Sequence, residues 1–275
     1  SRKLWRTWAP VIRFIVVHSP SATCDCWWLA TRRLPPARGH CSPSPDRCQT
    51  QNELHQGAFW CITFLQMTRR RLLSFGFRLL YNELAWLYDP VSWIVSLGRW
   101  RAWQRTILAY LPPDGRILEV GPGPGHLLVD LSAAGQRPLG LELSPAMLRY
   151  AARNARRRGL AVPLCRGRAC ALPFTQAAFD SVIATFPTPY IYDPAWIGEL
   201  VRVLTPGGRL VVVEAVSFTP GGRLARPLEH LYRITGQGAA GPDLSRLLSQ
   251  AGLRAWHDTV EVDGSLALLV LAEKS

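Results

Sequence analysis

RILEVGPGPGH, residues 116–126, decides the fold. Arg116 to Val120 reads as a short buried strand that runs into a glycine-rich turn, and a helix begins at once with His126-Leu127-Leu128. Gly121, Gly123 and Gly125 stand at alternate positions, where the lack of a Cβ lets backbone approach a ligand closely. The helix behind the turn points unpaired N–H groups at that ligand. Glu119 lies just ahead of the turn, and Glu142 ends the next apolar run, PLGLE. An acidic residue about 20 positions past the first glycine is placed to hold ribose hydroxyls.

A nicotinamide-binding fingerprint, G-x-G-x-x-G, is the nearest rival. Here the third glycine comes one residue early, at Gly125, and His126 stands where that fingerprint has glycine. Glu119 would also repel a pyrophosphate. A cationic nucleoside bearing an amino acid would welcome it, which describes S-adenosylmethionine (SAM), with its sulfonium, ammonium and ribose.

E-x-G-x-G-x-G followed by LGLELSPAML, then ALPFTQAAFDSVIAT (171–185) and ELVRVLTPGGRLVVVEA (199–215), resembles the class I SAM-dependent methyltransferases. The four motifs stand in that family's order and cover roughly residues 81–275. The segment YNELAWLYDPVSWIVSLGRWRAWQR (81–105) is similar to the N-terminal helices of the ubiquinone/menaquinone C-methyltransferase group, within the methyltransferase type 11 proteins.

The resemblance implies an α/β fold: a doubly wound, seven-stranded, mostly parallel Rossmann-like sheet with a terminal antiparallel hairpin and an N-terminal helical cap. The residues read the same way, because strand and helix alternate from Arg116 onward. Strands are expected at 116–120, 138–142, 161–165, 179–184 and 209–215. Ser144 and Pro145 should open a helix that stops at Gly159, with Leu148, Ala151, Ala152 and Ala155 as its apolar stripe. Asp193-Pro194 should open another, a further helix is expected around 242–251, and Asp263-Gly264 signals a hairpin.

The rest of the chain divides by composition. Residues 1–66 hold five of the seven cysteines and five of the eleven tryptophans, with no helical or strand period. Cys24-x-Cys26 and His40-Cys41 do not match zinc spacing, and a cytosolic enzyme would not form a disulfide framework. This stretch is expected to be an unstructured or mistranslated extension, with Met67 as the natural start. Residues 67–110 should form a helical cap or lid, and residues 111–275 the SAM-binding domain. The run Leu79–Leu97 is broken by Glu83, Asp89 and Pro90, which excludes a spanning helix and leaves two helices broken near Asp89-Pro90. Arg69, Arg70, Arg71 and Arg78 beside Leu72, Leu73, Phe75 and Phe77 are compatible with peripheral membrane contact of a cytoplasmic enzyme.

The resemblance also assigns site residues. Glu119, Gly121, Gly123 and Gly125 are expected to cradle the methionine part of SAM, Glu142 to accept the ribose hydroxyls, and Leu143 and Met147 to flank the adenine, with Met147 reading equally as plain core. Many relatives carry Gly-Asp-Ala where this chain has Gly167-Arg168-Ala169. Arginine cannot accept a hydrogen bond, so adenine recognition falls to backbone near Ala169 and Cys170. Thr185 and Phe186 should face cofactor and substrate, and Tyr88 should contact the cofactor, with Trp86 and Trp93 closing over an apolar pocket. Tyr190, Tyr192, His230 and Tyr232 are candidates to line that pocket, with His230 and Tyr190 the candidates for a general base. His126 reads as structural. No metal site is expected.

The acceptor is expected to be a small, rather apolar molecule, quinone-like or lipid-like. The net charge of +13 raises a nucleic-acid methyltransferase as the alternative. FPTPY (186–190) weighs against it, since enzymes acting on base amines carry an Asn or Asp and paired prolines there. A non-catalytic SAM- or nicotinamide-binding module is the other alternative.

Overall fold

The computed structural model describes residues 75–218 and 242–275. The expectations for residues 1–66, for 67–74 of the cap, and for His230 and Tyr232 lie outside the described residues.

The central strand is β1 (Arg116–Val120), whose Ile117 and Leu118 are fully buried on opposite faces. It pairs in parallel with β2 (Arg137–Glu142) on one side and β4 (Phe179–Thr185) on the other. β3 (Leu164–Arg166) lies outside β2, and β5 (Leu204–Phe218) outside β4. β6 (Leu253–Val262) and β7 (Ser265–Lys274) complete the sheet in the order β3-β2-β1-β4-β5-β7-β6, with β7 antiparallel to both neighbours. Asp263 and Gly264 join β6 to β7, both at positive φ (46° and 73°), as a primed two-residue hairpin turn requires. The expected doubly wound sheet and terminal hairpin are therefore present.

Alternating strand residues feed two cores, one on each face. Leu118, Val182 and Leu210 join one with Phe179 and Trp196. Ile117, Ile183 and Val211 join the other with Leu127 and Leu131. Helices α3 (His126–Ala133), α4 (Pro145–Arg157), α5 (Pro194–Val203) and α6 (Leu244–Gln250) connect the strands. Ser144 caps α4, its hydroxyl accepting from Met147 N, and Asp193 caps α5 by accepting from Ala195 N. The cap segment contains a helical stretch at 75–81, a 3-10 turn at Ala85–Leu87, α1 (Tyr88–Ser96), α2 (Trp100–Arg105) and a 3-10 turn at Thr106–Tyr110. Asp89 and Pro90 fall in the first turn of α1, as the sequence implies.

Two strands and one helix face differ most from expectation. β3 starts at Leu164 and not at residue 161, because Pro163 has no N–H to give the ladder. β5 runs from Leu204 to Phe218, longer at both ends than 209–215. Its start pairs with Phe179 ahead of a register shift, and its end, Ala215 to Phe218, continues as a ribbon with β7. The buried stripe of α4 is Met147, Ala151 and Ala155, so Leu148 and Ala152 sit on its flanks, half-buried.

The chain moves outward from β1 to β3 and then returns to place β4 on β1's other side. This reversal opens a crevice beyond the carboxyl ends of β1 and β4, where open α/β sheets bind ligands. The cap packs there. Trp103 is fully buried and donates its indole N–H to Ser265 Oγ (2.9 Å). Gln104 Nε2 donates to Thr185 Oγ1 (3.0 Å), and Arg101 and Arg105 both pair with Asp130 of α3 (2.6 and 2.8 Å).

Candidate active site

The glycine turn leaves β1 with Gly121, Gly123 and Gly125 all at positive φ (73°, 52° and 73°), a region L side chains rarely occupy. Gly121 N donates to Leu141 O (2.9 Å), which fastens the turn to β2. Gly123 and Gly125 serve different ends. A Cβ on Gly125 would lie 2.8 Å from Ala151 Cβ and 3.2 Å from Ala151 Cα, so this glycine lets the turn and α4 close together. A Cβ on Gly123 would meet nothing nearer than Tyr88 Cζ at 4.0 Å. Its open side faces the cap.

Two carboxylates stand behind the turn. Glu142 ends β2 and is largely buried, with Oε1 accepting from Ser144 N (2.8 Å) and Oε2 from Gly123 N (3.2 Å). Burial raises its pKa, and the Ser144 and Gly123 N–H groups pull the other way. It thereby joins the glycine turn to the start of α4. Glu119 is fully buried, and neither of its oxygens has a hydrogen-bond partner among the described residues. Burial pushes its pKa up to about 8, helped by the like charges of Glu142 and Asp130. A buried carboxylate without a partner is costly, and a cation relieves the cost. A pyrophosphate would add to it. The site thus fits the sulfonium-ammonium nucleoside SAM: Glu119 and Glu142 supply negative charge, and the glycine turn supplies close backbone.

Three phenols surround the carboxylates. Burial and then Glu142 push Tyr81 up to about 12, while a hydrogen bond with Tyr88 lowers it. Tyr88 is raised well above the usual phenol value by burial, with Tyr81, Asp89, Glu142 and Glu119 adding to the effect. Tyr190 is also raised by burial and then by Glu142 and Glu119. Its hydroxyl donates to Val120 O (3.2 Å), the residue just before the glycine turn. Tyr192 likewise donates to Glu214 Oε1 (2.9 Å).

Thr185 and Phe186 stand at the end of β4, in the crevice. Phe186 has φ 50°, an uncommon conformation for a bulky residue, and its ring lies 4.3 Å from Trp100 and 6.2 Å from Trp103. Leu143, just past β2, is 56% exposed, whereas Met147 is fully buried. Met147 is therefore a core position, with no face open to an adenine. Ala169 and Cys170 lie in a short turn closed by an Arg168–Ala171 bridge, and Cys170 Sγ donates to Asp193 Oδ2 (3.5 Å). Trp86 and Trp93 are 67% and 65% exposed, so they do not close over a pocket; Trp100 and Trp103 pack against Phe186 in their place. Among the described residues no group of three His, Cys, Asp or Glu side chains could hold a metal ion.

One cluster escaped sequence reasoning. Asp89 of α1 lies 2.8 Å from His126 Nε2, at the start of α3, and accepts from Tyr150 OH of α4 (2.6 Å). Burial alone would raise the Asp89 carboxyl, but the His126 and Tyr150 hydrogen bonds outweigh it and hold the group below its usual value. Ser144 Oγ adds a second tie, donating to Tyr81 O (2.6 Å). The cap is thus clasped to the helices that follow the glycine turn and β2, with Tyr88 between the clasps. Tyr88-Asp89 in the sequence gave a hint of proximity, but the partners are 37 and 61 positions away.

Comparison with known proteins agrees with this geometry. A family model described as a methyltransferase domain matches residues 117–208, from β1 into β5. The chain is 40% identical over 176 residues to a demethylmenaquinone methyltransferase of Thermus thermophilus, covering 62% of this chain and 77% of that protein. It is 30% identical over 186 residues to the demethylmenaquinone methyltransferase of Renibacterium salmoninarum, covering 65% and 76%. For the enzyme of the same name from Mycobacterium sp. strain KMS the figures are 33% over 188 residues, with 65% and 78% covered. With a glycine turn, a partnerless buried glutamate and a second carboxylate arranged at the sheet's reversal point, the chain belongs to the class I SAM-dependent methyltransferases, in the group of the ubiquinone/menaquinone C-methyltransferases.

Proposed function

We propose that this enzyme methylates a ring carbon of a reduced, quinone-like or lipid-like acceptor, reached by peripheral contact with a membrane. The observation that carries the cofactor side is the fully buried, partnerless Glu119 beside the glycine turn. Aromatic residues at the strand ends, Phe186 against Trp100 and Trp103, support an apolar and flat acceptor. The names of the relatives support a naphthoquinone ring.

SAM supplies an electrophilic methyl group when bound. The protein's part is to align and to exclude water. Glu119 balances positive charge, Glu142 holds the turn and keeps acceptor capacity for ribose hydroxyls, and Gly121, Gly123 and Gly125 admit the ligand. Leu143 offers an exposed apolar side chain for adenine, with backbone at Ala169 and Cys170 at its edge. Thr185 and Phe186 separate cofactor from acceptor. Tyr88 covers Gly123. No described side chain is assigned as the base: the phenols keep their protons, and a quinol brings acidic hydroxyls of its own.

Incubation with methyl-labelled SAM and a detergent-dispersed demethylated naphthoquinol tests the acceptor. Label is expected on the quinone ring. Label on tRNA or DNA, with none on the quinol, would sink this reading. Tyr88→Ala is expected to weaken SAM binding about tenfold and to lower the melting temperature by a few degrees, the scale of one lost aromatic contact. Unchanged affinity in the folded variant removes Tyr88 from the site.

Glu142→Ala is expected to cost about 2 kcal/mol of SAM binding, since it removes both a charged acceptor and the tie to Gly123 N. Calorimetry on the folded variant checks this, and unimpaired binding would take Glu142 out of the ribose role.

A further inference from the structure

Helix α1 is apolar on the wrong side for a helix that only packs on its own domain. Pro90, Trp93 and Ile94 recur at helical spacing on its surface, Leu97 follows at its C-cap, and all four are exposed. Trp93 is 65%, Ile94 61% and Leu97 39% accessible. Ser96, on the buried side, is fully covered, its hydroxyl bonded back to Ser92 O (2.6 Å). A surface helix ordinarily shows the reverse pattern. Trp86, in the preceding 3-10 turn, adds a further large exposed ring. Apolar surface gathered like this marks a contact face.

Charge and chemistry select the partner. In the chain, Arg78 precedes and Arg99 follows the patch residues, Arg78 exposed and Arg99 half-buried; of the two acidic side chains between residues 75 and 110, Asp89 is engaged by His126 and Tyr150 and Glu83 is exposed. The chain as a whole carries +13. Exposed tryptophans beside arginines suit the headgroup level of an anionic bilayer, where indole takes the boundary and guanidinium the phosphates. Among the described residues no helix is long and apolar enough to cross a membrane. The helix that bears Trp93 and Ile94 also carries Tyr88, which stands over Gly123.

We propose that the outer face of α1, with Trp86, seats this enzyme on an anionic lipid bilayer and so brings the mouth of the active site to an acceptor dissolved there. The proposal rests on the apolar-acceptor reading above for its purpose, but the surface can be tested without it. The full chain is sedimented with phosphatidylcholine vesicles, with and without phosphatidylglycerol, beside a Trp93→Ser/Ile94→Ser variant. Both side chains are exposed, so the variant should fold and bind SAM normally by calorimetry. The parent is expected to sediment with the anionic vesicles, and the variant's partition coefficient to fall at least about tenfold. Methylation of a detergent-dispersed quinol should be unchanged in the variant. Equal vesicle binding by parent and variant overturns the proposal. So does a change from dimer to monomer by light scattering with no loss of vesicle binding, which would assign the face to a second copy of the chain. Vesicle binding by a parent that methylates no quinol supports the docking face and removes only the acceptor. Methylation in detergent by a parent that ignores vesicles removes only the docking face.

Discussion

Gly125→Val is expected to unfold the protein, and Gly123→Val to leave it folded but unable to hold SAM. Both glycines have positive φ, so either valine strains the backbone by about 1–2 kcal/mol. What lies beyond the Cβ separates them. At Gly125 the new side chain would meet Ala151 at 2.8 Å, including backbone at 3.2 Å, and α3 and α4 would have to part. Overpacking of this kind adds roughly 1–3 kcal/mol or more, and the sum is a large share of a typical domain's stability. At Gly123 the nearest atom is Tyr88 Cζ at 4.0 Å, so the protein tolerates the branch, but it fills the ligand's side of the turn. Thermal melts paired with SAM titrations separate the two outcomes. A Gly123→Val variant that binds SAM normally would show that the turn does not face the cofactor.

Glu119→Gln is expected to stabilise the SAM-free protein near pH 8 and above while weakening SAM binding by about 2–3 kcal/mol, the range of charge-assisted hydrogen bonds. The sign follows from the raised pKa. A carboxyl that titrates at about 8 in the folded protein binds a proton there that the unfolded chain has released. Stability of the SAM-free parent therefore falls as pH rises from the ordinary carboxyl range toward 8, and levels off above. Glutamine has no proton to lose, so the variant should lack this slope. A cationic ligand requires the carboxylate, so the parent's SAM affinity should rise with pH up to about 8 and then plateau, with proton release on binding below that point. Calorimetry in buffers of different ionisation enthalpy reads the proton directly. An affinity that ignores pH in the parent and is untouched in the variant would take Glu119 out of the site.

Local chemistry made much of this legible in the sequence. The glycine turn, the Ser144 and Asp193 caps and the Asp263-Gly264 hairpin each have a cause within a few residues, and each stands where the sequence places it. Positions whose role depends on distant partners were less legible. For Met147 the sequence left adenine and core equally open, and it turns into the core because the stripe of α4 is centred on Met147 and Ala151 and not on Leu148. Trp86 and Trp93 were expected inside because they are large and apolar, and they face outward. Trp100 and Trp103 fill that role because the left-handed Leu97 and Gly98 (φ 52° and 78°) turn α2 back onto Phe186. The Asp89–His126–Tyr150 clasp joins three helices, and no periodicity or spacing encodes it.

The cleft behind Gly121–Gly125 is expected to hold SAM through the charge of Glu119. A calorimetric titration of the full chain with SAM, and separately with NADH, tests it most directly. Saturable binding of SAM is expected, stronger above pH 8 than below pH 7, and none of NADH. Binding of NADH with no binding of SAM would contradict it.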